Sequence, residues 1–278
     1  MTGMSDGVVV GYDGSPGSEL ALHWAAREAH DRGARLTICH SSMPEYLALP
    51  IEPPVYELEQ RHSEEILDRG VRHAEPFVGS GGVGTLLAVG SPARMLCERS
   101  AAADMVVVGS RGHGRLAGLL LGSIAWQLAG HGRGRIVIVR SQESQANRTP
   151  GAVVAGVDAS APSLAALEFA AEEAALRHVP LVTVCALADA SQRLGGMRQM
   201  EEEFTGLMTR WEKAHPGIAV LRQVTNQSPR VALLDAGAEA RLLVVGCRGR
   251  GGIPGMTVGS VTSALLHHAP CAVGIVRP

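Results

Sequence analysis

The chain has 278 residues, of which 46% are hydrophobic and 19% charged, and its formal net charge is −2. This charge provides no basic surface for nucleic acid, and 3% aromatic residues leave few platforms for base stacking. No apolar stretch reaches the ~18 residues of a membrane-spanning helix, and the first residues lack the basic region of a signal peptide. We therefore expect a cytoplasmic protein without membrane insertion.

Apolar runs and helical periodicity predict the same alternation of strands and helices twice along the chain. In the first half, strands are predicted near 7–12, 35–41, 83–89, 104–109 and 135–140, with helices near 16–31, 56–75, 91–102 and 122–131. In the second half, strands are predicted near 152–157, 180–186, 218–224, 241–246 and 271–277, with helices near 161–178, 196–214, 228–239 and 259–268. Strands that are apolar throughout fit parallel sheets covered on both faces. The fold class is therefore α/β, with two tandem Rossmann-like domains, each a doubly wound five-stranded parallel sheet. We place domain 1 at 1–144 and domain 2 at 151–278, around a polar linker at 141–150.

A glycine-rich motif occurs after the fourth strand of each half. In the first half Gly109 and Gly112 are followed by nine residues and then Gly122-Ser123. The same spacing recurs 137 residues later, and its residues are Gly246, Gly249, Gly259 and Ser260. A strand, a glycine-rich loop and a helix N-terminus together form a cradle for an anion such as phosphate. Each glycine taken alone also fits a turn or a helix cap.

Acidic, hydroxyl and basic side chains accompany each motif. Asp13 and Asp158 follow the first strand of each half, where a carboxylate can accept a hydrogen bond from a sugar hydroxyl or an adenine amine, or cap the next helix. Ser123 and Ser260 have a similar choice between capping a helix and binding phosphate. Basic residues of the loops could balance the negative charge of a phosphate, or they could be solvated surface charges. These residues are Arg111, His113, Arg115, Arg248 and Arg250. No residue pattern marks a metal site, so Mg²⁺ is expected only with ATP.

These motifs, with Val-Gly-x-Asp-x-Ser at the start of each domain, resemble the universal stress protein family in its tandem, actinobacterial arrangement. The resemblance covers nearly the whole chain and implies ATP-binding domains. It implies that Asp13 and Asp158 contact the nucleoside, and that Ser41 and Ala186 lie near adenine through their backbone. It also implies which residues hold ribose and phosphates: Gly109, Gly112, Gly122 and Ser123 in the first site, and Gly246, Gly249, Gly259 and Ser260 in the second. Finally, it implies that the last strands of the two domains pair, which docks the domains around a pseudo-twofold axis, and a homodimer of whole chains is further expected.

The first half departs from the motif after its loop. It has Trp126, Gly130-His131 and Arg133 where the second half has Ser263, His267-His268 and Pro270. We therefore expect weaker nucleotide binding in the first site, with Trp126 in a packing role. Cys247 lies in the second loop, and we expect it to be partly exposed.

Two classes of function fit these observations. The first is an ATP-binding regulator of stress response or growth, with an unidentified protein partner and no catalytic residues. The second is a slow ATPase or autophosphorylating enzyme that uses the same site. A Walker motif is absent, because the only lysine, Lys213, is far from either loop. A flavin or electron-transfer subunit of related topology is a third, weaker possibility.

Overall fold

A computed structural model describes residues 6–42, 53–79, 81–112, 121–140, 151–188, 196–250 and 257–278. The chain divides into two compact units, Met1–Ser141 and Gln142–Pro278. The predicted linker at 141–150 lies outside the described residues, as do the loop residues His113, Arg115 and 251–256. No helix in the described part of the chain is both long enough and apolar enough to cross a membrane.

The first unit alternates strands and helices from its beginning to its end. Its elements are β1 (Val8–Gly11), α1 (Pro16–Arg32), β2 (Leu36–Ser42), α2 (Pro53–Val78), β3 (Val83–Val89), α3 (Pro92–Arg99), β4 (Met105–Gly109), α4 (Ser123–His131) and β5 (Gly134–Val139). The strands are ordered β3-β2-β1-β4-β5, and each neighbouring pair is parallel.

The second unit repeats this arrangement. Its elements are β6 (Val153–Gly156), α5 (Ala161–Leu176), β7 (Leu181–Ala186), α6 (Gly196–Ala214), β8 (Val220–Thr225), α7 (Pro229–Gly237), β9 (Leu242–Gly246), α8 (Ser260–His268) and β10 (Ala272–Arg277). The strands are ordered β10-β9-β6-β7-β8, again all parallel. The prediction of a doubly wound, five-stranded parallel sheet in each half is confirmed.

Burial explains why the central strands carry no polar residue. The three valines of β1, Val8 to Val10, are fully buried, because helices cover both faces of the sheet. Helix α1 packs on this sheet through small side chains, including Ala21, Ala25 and Ala29, which let the helix lie close to the strands. At the outer strand β3 the burial is lower, and Val89 is 69% exposed.

The first helix of each unit contains a buried ion pair. Glu28 pairs with Arg32 on α1, and Glu173 pairs with Arg177 at 2.6 Å near the end of α5. Both glutamate side chains are completely buried. These pairs occupy matching positions of the repeat, so the duplication extends into the core.

The limits of α2 differ from the sequence-based prediction of 56–75. The helix begins at Pro53 and ends at Val78, with Pro76 within its last turn. The proline at its first position has no N–H to lose there, which makes Pro53 a suitable helix start.

Candidate functional site

In each unit the predicted site residues lie where the sheet order reverses. In the first unit β1 and β4 are neighbours, with Val10 paired to Val107, and their carboxyl ends lead to Asp13 and Gly109. In the second unit β6 and β9 are neighbours, and their carboxyl ends lead to Asp158 and Gly246. Open α/β sheets bind ligands at this switch point, because the connections leave it in opposite directions and open a crevice.

Each aspartate braces the turn between its strand and the following helix. The N–H of Ser15 donates to Asp13 Oδ1 at 3.0 Å, and the N–H of Ser160 donates to Asp158 Oδ1 at the same distance. The N-cap itself is the serine, since the Ser15 and Ser160 hydroxyls accept from the N–H groups three residues later. The capping alternative for Asp13 and Asp158 is therefore wrong, and the aspartates instead hold the capping serines in place.

The second carboxylate oxygen faces the glycine-rich loop. A Cβ on Gly112 would lie 2.6 Å from Asp13 Oδ2, and a Cβ on Gly249 would collide with Asp158 Oδ2. In the second unit the N–H of Arg250 also donates to Asp158 Oδ2 at 2.8 Å. A side chain at the second glycine of each motif would therefore displace the aspartate, and this close approach joins the end of the first strand to the loop.

These contacts change the acidity of Asp158. Burial acts to raise its pKa, but hydrogen bonds from Ser160, from the Arg250 N–H and from Ser163 stabilise the ionised form more strongly. The pKa therefore lies below its ordinary value of 3.8. An ionised carboxylate at the switch point is an acceptor, as contact with a nucleoside hydroxyl or amine requires.

The first glycine of each motif has a packing role that the sequence did not reveal. A Cβ on Gly109 would collide with the carbonyl group of Gly17, in the first turn of α1. A Cβ on Gly246 would lie 2.7 Å from the carbonyl carbon of Pro162, in the first turn of α5. These glycines let the first turn of the helix approach the end of the strand. The helix backbone occupies the space where a Cβ would otherwise lie.

Hydrogen bonds close the two loops at their ends. The N–H of Gly122 donates to the Ser110 carbonyl at 2.8 Å, and the N–H of Gly259 donates to the Cys247 carbonyl at 2.9 Å. Each loop therefore leaves its strand and returns beside it, which brings the start of α4 or α8 to the carboxyl end of the sheet.

Helices α4 and α8 begin without a side-chain cap. Their N-cap residues are Gly122 and Gly259, and neither helix has a side-chain hydrogen bond at its start. Ser123 and Ser260 are the first helical residues and are exposed, so the proposal that they cap these helices is wrong. The first-turn N–H groups of a helix have no acceptor within the helix, and they can bind an anion.

The two predicted adenine-side residues end the strands next to β1 and β6. Ser41 lies on β2, and its hydroxyl donates to the Gly90 carbonyl at 2.6 Å. Ala186 is the last residue of β7, opposite Thr225 of β8. Both lie at the carboxyl edge, one strand away from the aspartate.

The predicted phosphate-binding arginines differ in their surroundings. Arg111 is exposed and lies between Gly109 and Gly112 of the first motif. The Arg250 guanidinium donates to Glu203 of α6 at 2.8 Å, and this pairing competes with a phosphate for its charge. Arg248 is half-buried, and its Nε is buried without a hydrogen-bond partner among the described residues. Of the five arginine and histidine candidates, His113 and Arg115 lie outside the described part of the chain.

The partial exposure expected for Cys247 is wrong, while the packing role expected for Trp126 stays a prediction. Cys247 is only 5% exposed, because its N–H and C=O are tied to Val276 and Gly259 and its side chain turns into the core. Trp126 is 41% exposed, since it lies on the outer face of α4 while Ala125 and Leu128 fill the inner face.

Sequence reasoning also missed a polar contact in the second unit. The hydroxyl of Thr262, on α8, donates to the Gly246 carbonyl at 2.9 Å and so fastens the helix to the strand end. The matching residue of the first unit is Ala125, which has no hydroxyl. Comparison of the two halves could have identified this difference, but a single threonine within an apolar helix gives no pattern to search for.

The family model of the universal stress proteins matches residues 4–140 and again residues 151–277. The chain belongs to the universal stress protein family. A universal stress protein of Mycobacterium tuberculosis strain H37Rv is 35% identical, over 98% of this chain and 96% of the relative. One from Mycolicibacterium smegmatis is 33% identical, over 98% of this chain and 97% of the relative. Both relatives therefore match the tandem chain along its whole length.

Among solved structures, a universal stress protein from Archaeoglobus fulgidus has the same fold. Its TM-score is 0.74 at 18% identity, and the alignment covers 99% of both chains. At this identity the likeness concerns the fold alone.

Proposed function

We propose that this universal stress protein binds one adenine nucleotide in each unit, as ATP with Mg²⁺, and acts as a nucleotide-dependent regulator of stress response. The observation that carries the proposal is the duplicated arrangement at the switch points. In each unit an aspartate contacts the motif's second glycine, and a closed loop delivers a helix whose N-cap is glycine. A carboxylate for the nucleoside and uncapped N–H groups for phosphate are the two kinds of group that a nucleotide requires.

In this proposal each group of site residues has a defined role. Asp13 and Asp158 accept from the nucleoside, while the backbone at Ser41 and Ala186 borders the adenine. The phosphates lie against the N-termini of α4 and α8, where Gly122-Ser123 and Gly259-Ser260 provide backbone N–H groups and exposed hydroxyls. Gly112 and Gly249 act indirectly, since their missing side chains leave room for the aspartates.

The geometry favours binding over catalysis. Arg250 of the second loop pairs with Glu203, and none of the described residues of that loop is a lysine. A Mg²⁺ ion that arrives with ATP would take its ligands from phosphate oxygens and water. We further propose that the protein works in the cytoplasm, as a homodimer, with a regulatory protein partner. None of the five cysteines, all of which are described, forms a disulfide, which agrees with a reducing compartment.

The experiment uses the glycines that have room for a side chain. A Cβ on Gly122 or Gly259 would meet its nearest protein atom at 3.4 Å, an ordinary contact, and both residues have φ near −70°. We expect Gly122→Ala with Gly259→Ala to fold normally and to bind ATP at least about tenfold more weakly, because each new methyl group occupies the phosphate position.

Binding is measured by calorimetry and folding by thermal unfolding in the same preparation. Unchanged ATP affinity in the folded double variant would remove the phosphate site from α4 and α8. Incubation of the wild type with γ-labelled ATP separates the two functions: intact ATP recovered from the protein supports a regulator, whereas released phosphate or covalent label supports the ATPase or autokinase.

A further inference from the structure

A cluster of three metal-ligating side chains is formed by α1 and α2, and none of the three is a residue of the proposed nucleotide site. Glu19 and His23 are one turn apart on α1, and His73 comes from α2. One ligand atom from each residue lies within 4.8 Å of the other two. His73 Nδ1 is 2.9 Å from Glu19 Oε2. No other group of three such side chains occurs among the described residues.

We propose that this cluster is a binding site for a divalent transition-metal ion, with Zn²⁺ the best fit. Two imidazoles and one carboxylate form a ligand set that suits zinc, and a fourth position remains for water. Around a tetrahedral zinc ion with bonds of about 2.0–2.1 Å, ligand atoms lie about 3.3 Å apart. The ligand atoms lie within 4.8 Å of one another, and His23 and His73 are exposed, so their rings have room to rotate toward this spacing.

The carboxylate of the cluster is already oriented by a buried donor. Tyr12 is 2% exposed, and its hydroxyl donates to Glu19 Oε1. The other oxygen, Glu19 Oε2, faces His73. Outer hydrogen bonds of this kind fix the ligands of protein metal sites and strengthen metal binding.

An aromatic ring lies beside the cluster. The Phe77 ring centroid is 5.9 Å from that of His23, and the Arg27 guanidinium carbon is 5.7 Å from the Phe77 centroid. Arg27 therefore has an aromatic ring to contact next to the cluster.

The second unit provides an internal comparison at the matching helices. The residue that corresponds to His23 is Glu168, and the one that corresponds to Glu19 is Leu164. Glu168 accepts from Trp211 Nε1 and lies 3.3 Å from His215 Nε2, while Trp211 and His215 stack at 4.0 Å. This group has one imidazole and one carboxylate, so it holds fewer ligands than zinc needs. We expect one zinc ion per chain, bound by the first unit.

The test is calorimetric titration of the chelator-treated, nucleotide-stripped full chain with Zn²⁺. We expect one tight equivalent in the wild type and about 10- to 100-fold weaker binding in His73→Ala and in His23→Ala, and about tenfold weaker binding in Tyr12→Phe. His62→Ala is the matched control, because His62 is an exposed histidine on the same α2 helix. It should leave the affinity unchanged.

A Co²⁺ titration identifies the ligands directly. Binding at this cluster gives visible d–d bands without a sulfur charge-transfer band, whereas binding at Cys97 gives the sulfur band. Far-UV circular dichroism checks that the histidine variants are folded. The proposal is overturned if the wild type takes up no Zn²⁺, or if the folded His23→Ala/His73→Ala double variant retains the wild-type affinity. It is also overturned if His62→Ala weakens binding equally, since Glu19, His23 and His73 would then form only an ordinary hydrogen-bonded group.

Discussion

The two units have the same backbone arrangement at the carboxyl ends of their sheets, but they carry different side chains on the helices around it. Both have an aspartate against a glycine, a hydrogen bond between the two described ends of the loop, and a helix whose N-cap is glycine. On the first two helices, however, the first unit presents Glu19, His23 and His73, and the second presents Glu168, Trp211 and His215. At Gly109 and Gly246 the repeat is explained by backbone contact, because a side chain there has no space.

The largest effect is expected at the buried ion pairs, which test whether the cores of the units are also equivalent. Glu28→Ala and Glu173→Ala each remove the buried carboxylate that pairs with a mostly buried arginine and should cost about 3–5 kcal/mol of unfolding free energy. Urea unfolding of each variant measures this loss.

The control for the ion pairs is Glu202→Ala. It breaks an exposed pair with Arg198, also four residues apart, and should cost less than about 1 kcal/mol. If Glu28→Ala and Glu173→Ala differ widely, or if either is as mild as the control, the two cores are not equivalent in energy.

A smaller loss of stability is expected at the first glycine of each motif. In Gly109→Ala and Gly246→Ala the new methyl group meets the backbone of α1 or α5, so the helix start must move, at a cost of about 1–3 kcal/mol. Thermal unfolding measures the change. Gly217→Ala is the control, because no protein atom lies within 4 Å of its Cβ. Unchanged stability in both motif variants would show that the close approach is not required.

This packing role changes how a loss of ATP affinity at Gly109 or Gly246 should be interpreted. Weaker ATP binding in such variants would follow from a displaced helix and would not locate the phosphates. Gly122 and Gly259 are better probes, because their Cβ positions have ordinary contacts only.

The sequence predicted the architecture well for a physical reason. Apolar strands buried on both faces, such as Val106 to Val108, alternate with helices that follow a capping serine, such as Ser15 or Ser160. Both patterns can be read from residues that are close together in the sequence. The duplication then located Asp13 and Asp158 at equivalent strand ends. These features depend on residues that are near one another in the chain.

Contacts between distant segments could not be predicted in this way. Gly109 lies against Gly17 because β4 packs close to α1, and His73 reaches Glu19 because α2 packs close to α1. No local sequence pattern encodes how closely these elements pack. The Glu19-x3-His23 spacing was present in the sequence, but the third ligand is 50 residues further along the chain. The docking of the two domains through their last strands, inferred from the family resemblance, stays a prediction.

The smallest expected effect is the pH dependence of the unfolding free energy that arises from Asp158. It extends the comparison of the two units to their aspartates. The folded-state pKa of Asp158 is below 3.8, so the ionised carboxylate contributes its full stability above that value. This contribution decreases as the pH falls below about 4 and is lost once the pH passes the folded-state pKa. Urea unfolding between pH 5 and pH 3 should therefore show a shallower loss in Asp158→Asn than in the wild type. Equal slopes would mean that the hydrogen bonds of Asp158 do not favour its ionised form.

The central claim, that each unit holds one nucleotide through its aspartate, is tested most directly by the number of ATP molecules bound per chain. Calorimetric titration of the nucleotide-stripped wild type with ATP and Mg²⁺ should give about two sites, because the switch-point geometry occurs twice. Asp13→Ala and Asp158→Ala should each weaken one site by about 1–3 kcal/mol, the cost of a lost hydrogen bond to a charged group, and leave the other unchanged. Binding of two ATP molecules at full affinity by the folded Asp13→Ala/Asp158→Ala double variant would contradict the account.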